Sequence, residues 1–94
     1  MAQQSMKPVL TPTENEFLKW MVSCRVGAES ATVYANTINR LHVRGVTDDE
    51  LRTCCPFALV DKMWNRNEYS AAYRQKLRSS ISKYQDFLRR DMDD

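Results

Sequence analysis

Six side chains near the end of the chain, Arg74, Arg78, Ser82, Lys83, Gln85 and Arg89, are of the types that grip a polyanion. The planar fork of arginine meets phosphate oxygens or a guanine edge with two parallel N–H bonds, and lysine adds a compact point charge. Glutamine and serine reach bases or backbone. On a helical wheel Arg74, Arg78, Gln85 and Arg89 lie along one flank of an apolar arc, Lys76, Lys83 and Arg90 along the other, with Ser82 near the face opposite the core. Residues 69–90 hold six basic residues and one acid, Asp86. A helix face that only meets water gains stability from mixed signs at i, i+4. The one-sided charge therefore points to a polyanionic partner, and the side-chain set suits double-stranded DNA.

A second group sits upstream. Asn36, Asn39 and Arg40 fall with Thr32 on the predicted outward face of an earlier helix, and Arg44 lies at its end. Asparagine is a mediocre helix former, so two of them on one face are unexpected unless they meet a partner, and asparagine can pair bidentately with adenine. Candidates for catalysis are few. His42 is the only histidine and lies near the edge of an apolar arc, which makes it a structural residue. Cys24, Cys54 and Cys55 have no C-x-x-C spacing and too few histidine partners for zinc, so they read as buried small hydrophobes in a reducing compartment. No paired carboxylates and no Gly-rich phosphate loop are evident. The chain is expected to bind rather than catalyse, without metal, cofactor or small-molecule substrate.

The elements that must carry these residues are helical. Thr11-Pro12-Thr13-Glu14 places a capping hydroxyl, a proline at the first helical position and a glutamate that closes a capping box. Phe17, Leu18, Met21 and Cys24 then recur at helical spacing, predicting a helix over about 12–25 that stops at Gly27 in a left-handed conformation. Ser30 is read as the start of the second helix, about 30–43, with Ala31, Tyr34, Ile38 and Leu41 on one stripe and Gly45 beyond it. Thr47-Asp48-Asp49-Glu50 is a second capping box opening a short helix that Pro56 must interrupt. Pro56 can start the next short helix, rich in apolar residues from Phe57 to Trp64. Ser70 caps the last, about 70–90, where Tyr73, Leu77, Ile81, Tyr84 and Leu88 make the most sustained periodicity of the chain.

Ninety-four residues make one domain: a loose arm over 1–10, a helical body over 11–90 and an acidic tail over 91–94. The net charge of +2 conceals its distribution: +2 over residues 1–45, −2 over 46–68, +5 over 69–90 and −3 in the tail. No apolar run nears the roughly 18–20 residues a membrane crossing needs, and no basic-then-apolar leader opens the chain. The expectation is a cytoplasmic, nucleoid-associated protein with an all-α fold, a compact orthogonal bundle of four to five helices.

Several of these residues together resemble a known layout. Phe17-Leu18-Lys19-Trp20-Met21, then Gly27 and Ser30, then Tyr34, Ile38 and Leu41 are similar to the first two helices of the core-binding domain of tyrosine recombinases, the phage-integrase family. The run from Leu77 to Arg89 resembles that domain's closing helix. The resemblance covers about residues 12–90. It implies a SAM-like bundle whose second and last helices enter the major groove of DNA, and a first helix that packs against a neighbouring protomer or recombinase on DNA, a contact open to Lys19 and Trp20. Trp20 and Trp64 are better explained as packing residues. Nothing matches the family's catalytic Arg/Lys/His/Arg/Tyr set, and His42-Val43-Arg44 lacks its His-x-x-Arg spacing. The resemblance therefore implies the DNA-binding half alone, either a recombinase fragment or a stand-alone regulator from a phage or mobile element. The alternative is a small helical module whose basic helix docks an acidic protein partner.

Overall fold

The computed structural model describes residues 9–65 and 67–90. Thr11 opens α1 (Pro12–Ser23) with a complete capping box: the Glu14 amide donates to Thr11 Oγ1 at 3.2 Å, and the Thr11 amide to Glu14 Oε1 at 2.9 Å. Thr47 and Glu50 repeat the arrangement at α3 (Asp48–Thr53). Pro56 occupies the first turn of α4 (Pro56–Met63), and Ser70 caps α5 (Ala71–Arg89) by accepting from the Tyr73 amide. These helices start where side-chain oxygens or proline satisfy or remove the orphan amides of a first turn.

The ends of α1 and α2 (Ala28–Val43) are two copies of one motif. Val26 N–H reaches back to Met21 O, and Arg25 N–H to Val22 O; Val46 N–H reaches Leu41 O, and Gly45 N–H His42 O. This is the Schellman arrangement, which requires a left-handed residue. In the second copy that residue is Gly45, φ 95°; in the first it is Arg25, φ 72°. The expectation that Gly27 stops the first helix is corrected. The turn has already closed two residues earlier, and Gly27, φ −58°, instead precedes α2. α2 thus starts before Ser30, which is an exposed residue of its first turn and not its cap.

All described regular structure is helical, in the order two long helices, two short ones and one long. α5 contacts each of the other four. Phe17 and Met21 from α1, Ala31, Ala35, Ile38 and Leu41 from α2, Leu51, Val60, Trp64 and α5's Leu77, Ile81, Tyr84 and Phe87 form a core exposed by 2% or less. Within it the Phe17 ring meets Tyr84 edge-on, centroids 4.9 Å apart, and Phe87 at 5.3 Å. Edge-on and offset contacts suit the charge distribution of aromatic rings and add to burial. No described helix is long and apolar enough to cross a membrane. The arm and tail expected at the two ends, apart from Val9 and Leu10, lie outside the described residues, as does Arg66 in the turn after α4.

Candidate nucleic-acid interface

α5 is uninterrupted because residues 71–89 contain no proline or glycine and pair an apolar stripe with good helix formers. Packing that stripe inward turns Gln75, Lys76, Ser79, Ser82, Asp86 and Arg89 outward, with Arg74, Arg78 and Lys83 half-buried at the margins. The arginines are held in place. Arg74 Nη1 lies 3.2 Å from Asp61 Oδ1 on α4, and Arg89 Nη2 2.7 Å from Asp86 Oδ1. The Arg78 guanidinium sits 4.4 Å from the centroid of the Phe57 ring. Where exposed, these contacts orient the side chains at small energetic gain; the Arg74 side chain is only 14% exposed, and its Nε is buried without a hydrogen-bond partner.

α2 contributes Arg40 and Arg44 at its C-terminal end. Arg40 donates to the Tyr73 hydroxyl at 3.0 Å, and Tyr73 stacks on Tyr69 with ring centroids 5.5 Å apart. Arg44 lies over the Trp64 ring, 4.9 Å from its centroid. Arg40 therefore joins α5 at its first turn, and Arg44 reaches the end of α4. Asn36 is half-buried on α2.

Two of the expected contact residues face inward, and both corrections have a physical cause. Asn39 is buried; its amide nitrogen donates to Glu14 Oε1 at 2.9 Å and to Val9 O at 3.2 Å. Glu14 is fully buried, and a buried carboxylate requires donors. Gln85 is also buried, and its amide donates to Leu51 O and Cys54 O, both at 2.8 Å. α3 ends early before Pro56 and leaves carbonyls without helical partners; Gln85 supplies them from across the core. Neither residue is available to DNA. The cysteines are corrected as well: Cys24 and Cys55 are exposed and only Cys54 is half-buried, its thiol pushed up by burial. Both exposed cysteines cap helix ends, where the chain runs at the surface.

Lys19 is exposed beside the half-buried Trp20, whose ring packs on Phe87 at 5.7 Å, while Trp64 belongs to the core. His42 is the hub of a cluster that links four helices. Its Nδ1 meets Glu14, its Nε2 lies 2.7 Å from Asp48 Oδ1, and the Tyr84 hydroxyl donates to the same Asp48 oxygen at 2.8 Å. With a carboxylate at each nitrogen the ring donates twice, as imidazolium. Burial works against that charge, but hydrogen bonds to Glu14 and Asp48 outweigh it and raise the His42 pKa above its ordinary value. Burial likewise opposes ionisation of Glu14, and the donors His42, the Thr11 amide and Asn39 overcome it and hold the carboxyl below its ordinary range. Burial raises the Tyr84 phenol further from titration. Among the described residues no group of three His, Cys, Asp or Glu side chains is arranged to hold a metal.

Sequence reasoning missed Phe57. Its apolar neighbours suggested a core position, yet its ring is 62% exposed beside Arg78. One signal was present: Phe57 follows Pro56 in the first turn of a short helix, while its spacing of three from the buried Val60 argued the other way. Comparison with protein-family models, curated proteins and solved structures finds no match to this chain.

Proposed function

We propose that this chain is a binding module for double-stranded DNA, acting by occupancy rather than catalysis, with α5 as its principal contact helix and the end of α2 as a second. The contact set is Arg74, Arg78, Ser82, Lys83 and Arg89 on α5 with Asn36, Arg40 and Arg44 on α2; Asn39 and Gln85 have left it. One observation carries the reading: the outward surface and margins of α5 present Lys76, Arg78, Lys83 and Arg89 against the single acid Asp86. From Arg74 to Arg89 the helix rises about 22 Å, close to two-thirds of the roughly 34 Å turn of a duplex. The order of two long, two short and one long helix suits a SAM-like bundle of the core-binding type, which is the architecture included in this proposal.

Contact with about four phosphates gives a log–log salt slope near −3.6, or about a 100-fold loss of affinity between about 50 and 200 mM salt. Fluorescence anisotropy with a labelled duplex at those two salt concentrations tests this. The Lys83→Ala/Arg89→Ala variant is expected to bind more weakly and to lower the slope by nearly two. A wild-type chain without salt-sensitive binding at low ionic strength rejects the proposal. Binding that the double variant leaves intact moves the interface off α5.

A further inference from the structure

Phe57 is out of place for a residue that only supports the fold. Burying a phenylalanine ring is strongly favourable, yet this residue is 62% exposed, the other large exposed apolar side chains among the described residues being valines. Val60, Leu59 and Met63 carry α4 onto the core without it. Its neighbour across the helix boundary is a cation, the Arg78 guanidinium 4.4 Å from its centroid. Together with Pro56, Gln75, Ser79 and Ser82 these two residues line a groove between the first turn of α4 and the middle of α5. The lining holds one aromatic ring, one cation, two hydroxyls and an amide, and no acid. An apolar surface set directly beside a cation and small polar groups matches a nucleotide unit, in which a hydrophobic sugar alternates with a charged phosphate.

We propose that this groove seats one strand of the DNA backbone, with a deoxyribose packed on the free side of the Phe57 ring and the adjoining phosphate on Arg78, supported by the Ser79 and Ser82 hydroxyls. The proposal rests on the DNA-binding reading and deepens it by assigning an apolar contact to an interface otherwise made of charge. Stacking under Arg78 keeps the guanidinium at the groove edge, so the phosphate meets a side chain already oriented.

The salt dependence of binding separates the two roles. An apolar contact releases no counterions, whereas loss of a phosphate contact lowers the slope by about one. With a labelled duplex of about 20 base pairs and titrations from about 50 to 200 mM salt, Phe57→Ala is expected to weaken binding about five- to tenfold by the same factor throughout, giving a parallel line. Arg78→Ala is expected to weaken binding and flatten the line, and Phe57→Leu to restore most of the affinity. Because Phe57 lies outside the core, Phe57→Ala is expected to keep the wild-type circular dichroism and melting temperature. A Phe57→Ala protein that binds as tightly as wild type overturns the groove assignment and leaves DNA binding on α5 standing. So does a flattened slope, which would place Phe57 in support of charge alone. If wild type binds no duplex, the underlying reading fails first. If polyglutamate of matched charge binds as tightly as the duplex and with the same dependence on Phe57, the groove belongs to an acidic protein surface and the proposal is wrong.

Discussion

His42 presents both ring nitrogens to carboxylates, so its proton inventory is part of the fold. Its raised pKa means that the stabilisation is fully present below the ordinary value of 6.5 and is lost as pH rises through the folded value. Glu14 has the opposite sign: its contribution is present above 4.5 and is lost as pH falls through its lowered folded value. Asp48 and Tyr84 face the same ring from α3 and α5, and Asn39 flanks Glu14 from α2, so both limbs act on one junction. Thermal melts across pH are expected to show highest stability between those limbs, and His42→Gln to flatten the alkaline one. An alkaline limb unchanged in that variant would assign it to another group. Glu14→Gln leaves the imidazolium facing Asp48 alone and breaks a buried charge pair, at a cost of about 3 kcal/mol in urea unfolding. The Glu14 capping role was legible in Thr11-Pro12-Thr13-Glu14, but the same carboxylate serving Asn39 and His42 was not, because residues 25 and 28 positions apart meet only after α1 and α2 pack.

At the scale of elements, the twin helix ends offer an internal comparison. Left-handed backbone costs a residue with a Cβ about 1 kcal/mol, and only the α1 copy carries that cost, at Arg25. Arg25→Gly is expected to stabilise the protein by up to about 1 kcal/mol and Gly45→Ala to destabilise it by a similar amount, each moving the melting temperature by about 4–8 °C. Equal and negligible shifts at both sites would show that the motif is relaxed without glycine. Capping boxes, prolines and the α5 stripe made the starts of α1, α3, α4 and α5 readable because their chemistry is local, whereas α2 has no side-chain cap after Gly27 and starts at Ala28, two residues ahead of the expected Ser30. The inward turn of Gln85 was not readable, since a polar residue on the flank of an apolar arc looks solvent-facing until α3 ends short and exposes Leu51 O and Cys54 O to the core. Gln85→Ala removes the amide donor from both carbonyls, leaving Leu51 O only the weak Cys54 thiol at 3.6 Å, and is expected to cost about 2–6 kcal/mol, at about 1–3 kcal/mol for each unsatisfied buried group. Gln85→Glu, unable to donate when ionised, is expected to recover nothing in the same urea titration.

Across the whole molecule, the proposed binding helix is also the one on which the others pack. Core positions 77, 81, 84 and 87 and outward positions 76, 79, 82 and 86 belong to the same nineteen residues, so a ligand on α5 stabilises the entire chain by mass action. Duplex DNA at about 100 times its dissociation constant is expected to add about 2.7 kcal/mol to unfolding. A melting temperature unmoved by saturating duplex would count against specific binding to the folded state. The central position of α5 also bears on how the protein comes apart. Trp20 packs on Phe87 near one end of α5, and Trp64 ends α4, whose Asp61 pairs with Arg74 near the other. α4 packs on α5 and α1 chiefly on α2, and the Phe17 and Trp20 rings on Tyr84 and Phe87 join the two pairs into one core. Trp20→Phe and Trp64→Phe proteins, each left with a single emitter, should therefore each lose native fluorescence and helical ellipticity at one shared urea midpoint, the signature of a chain that opens in one step.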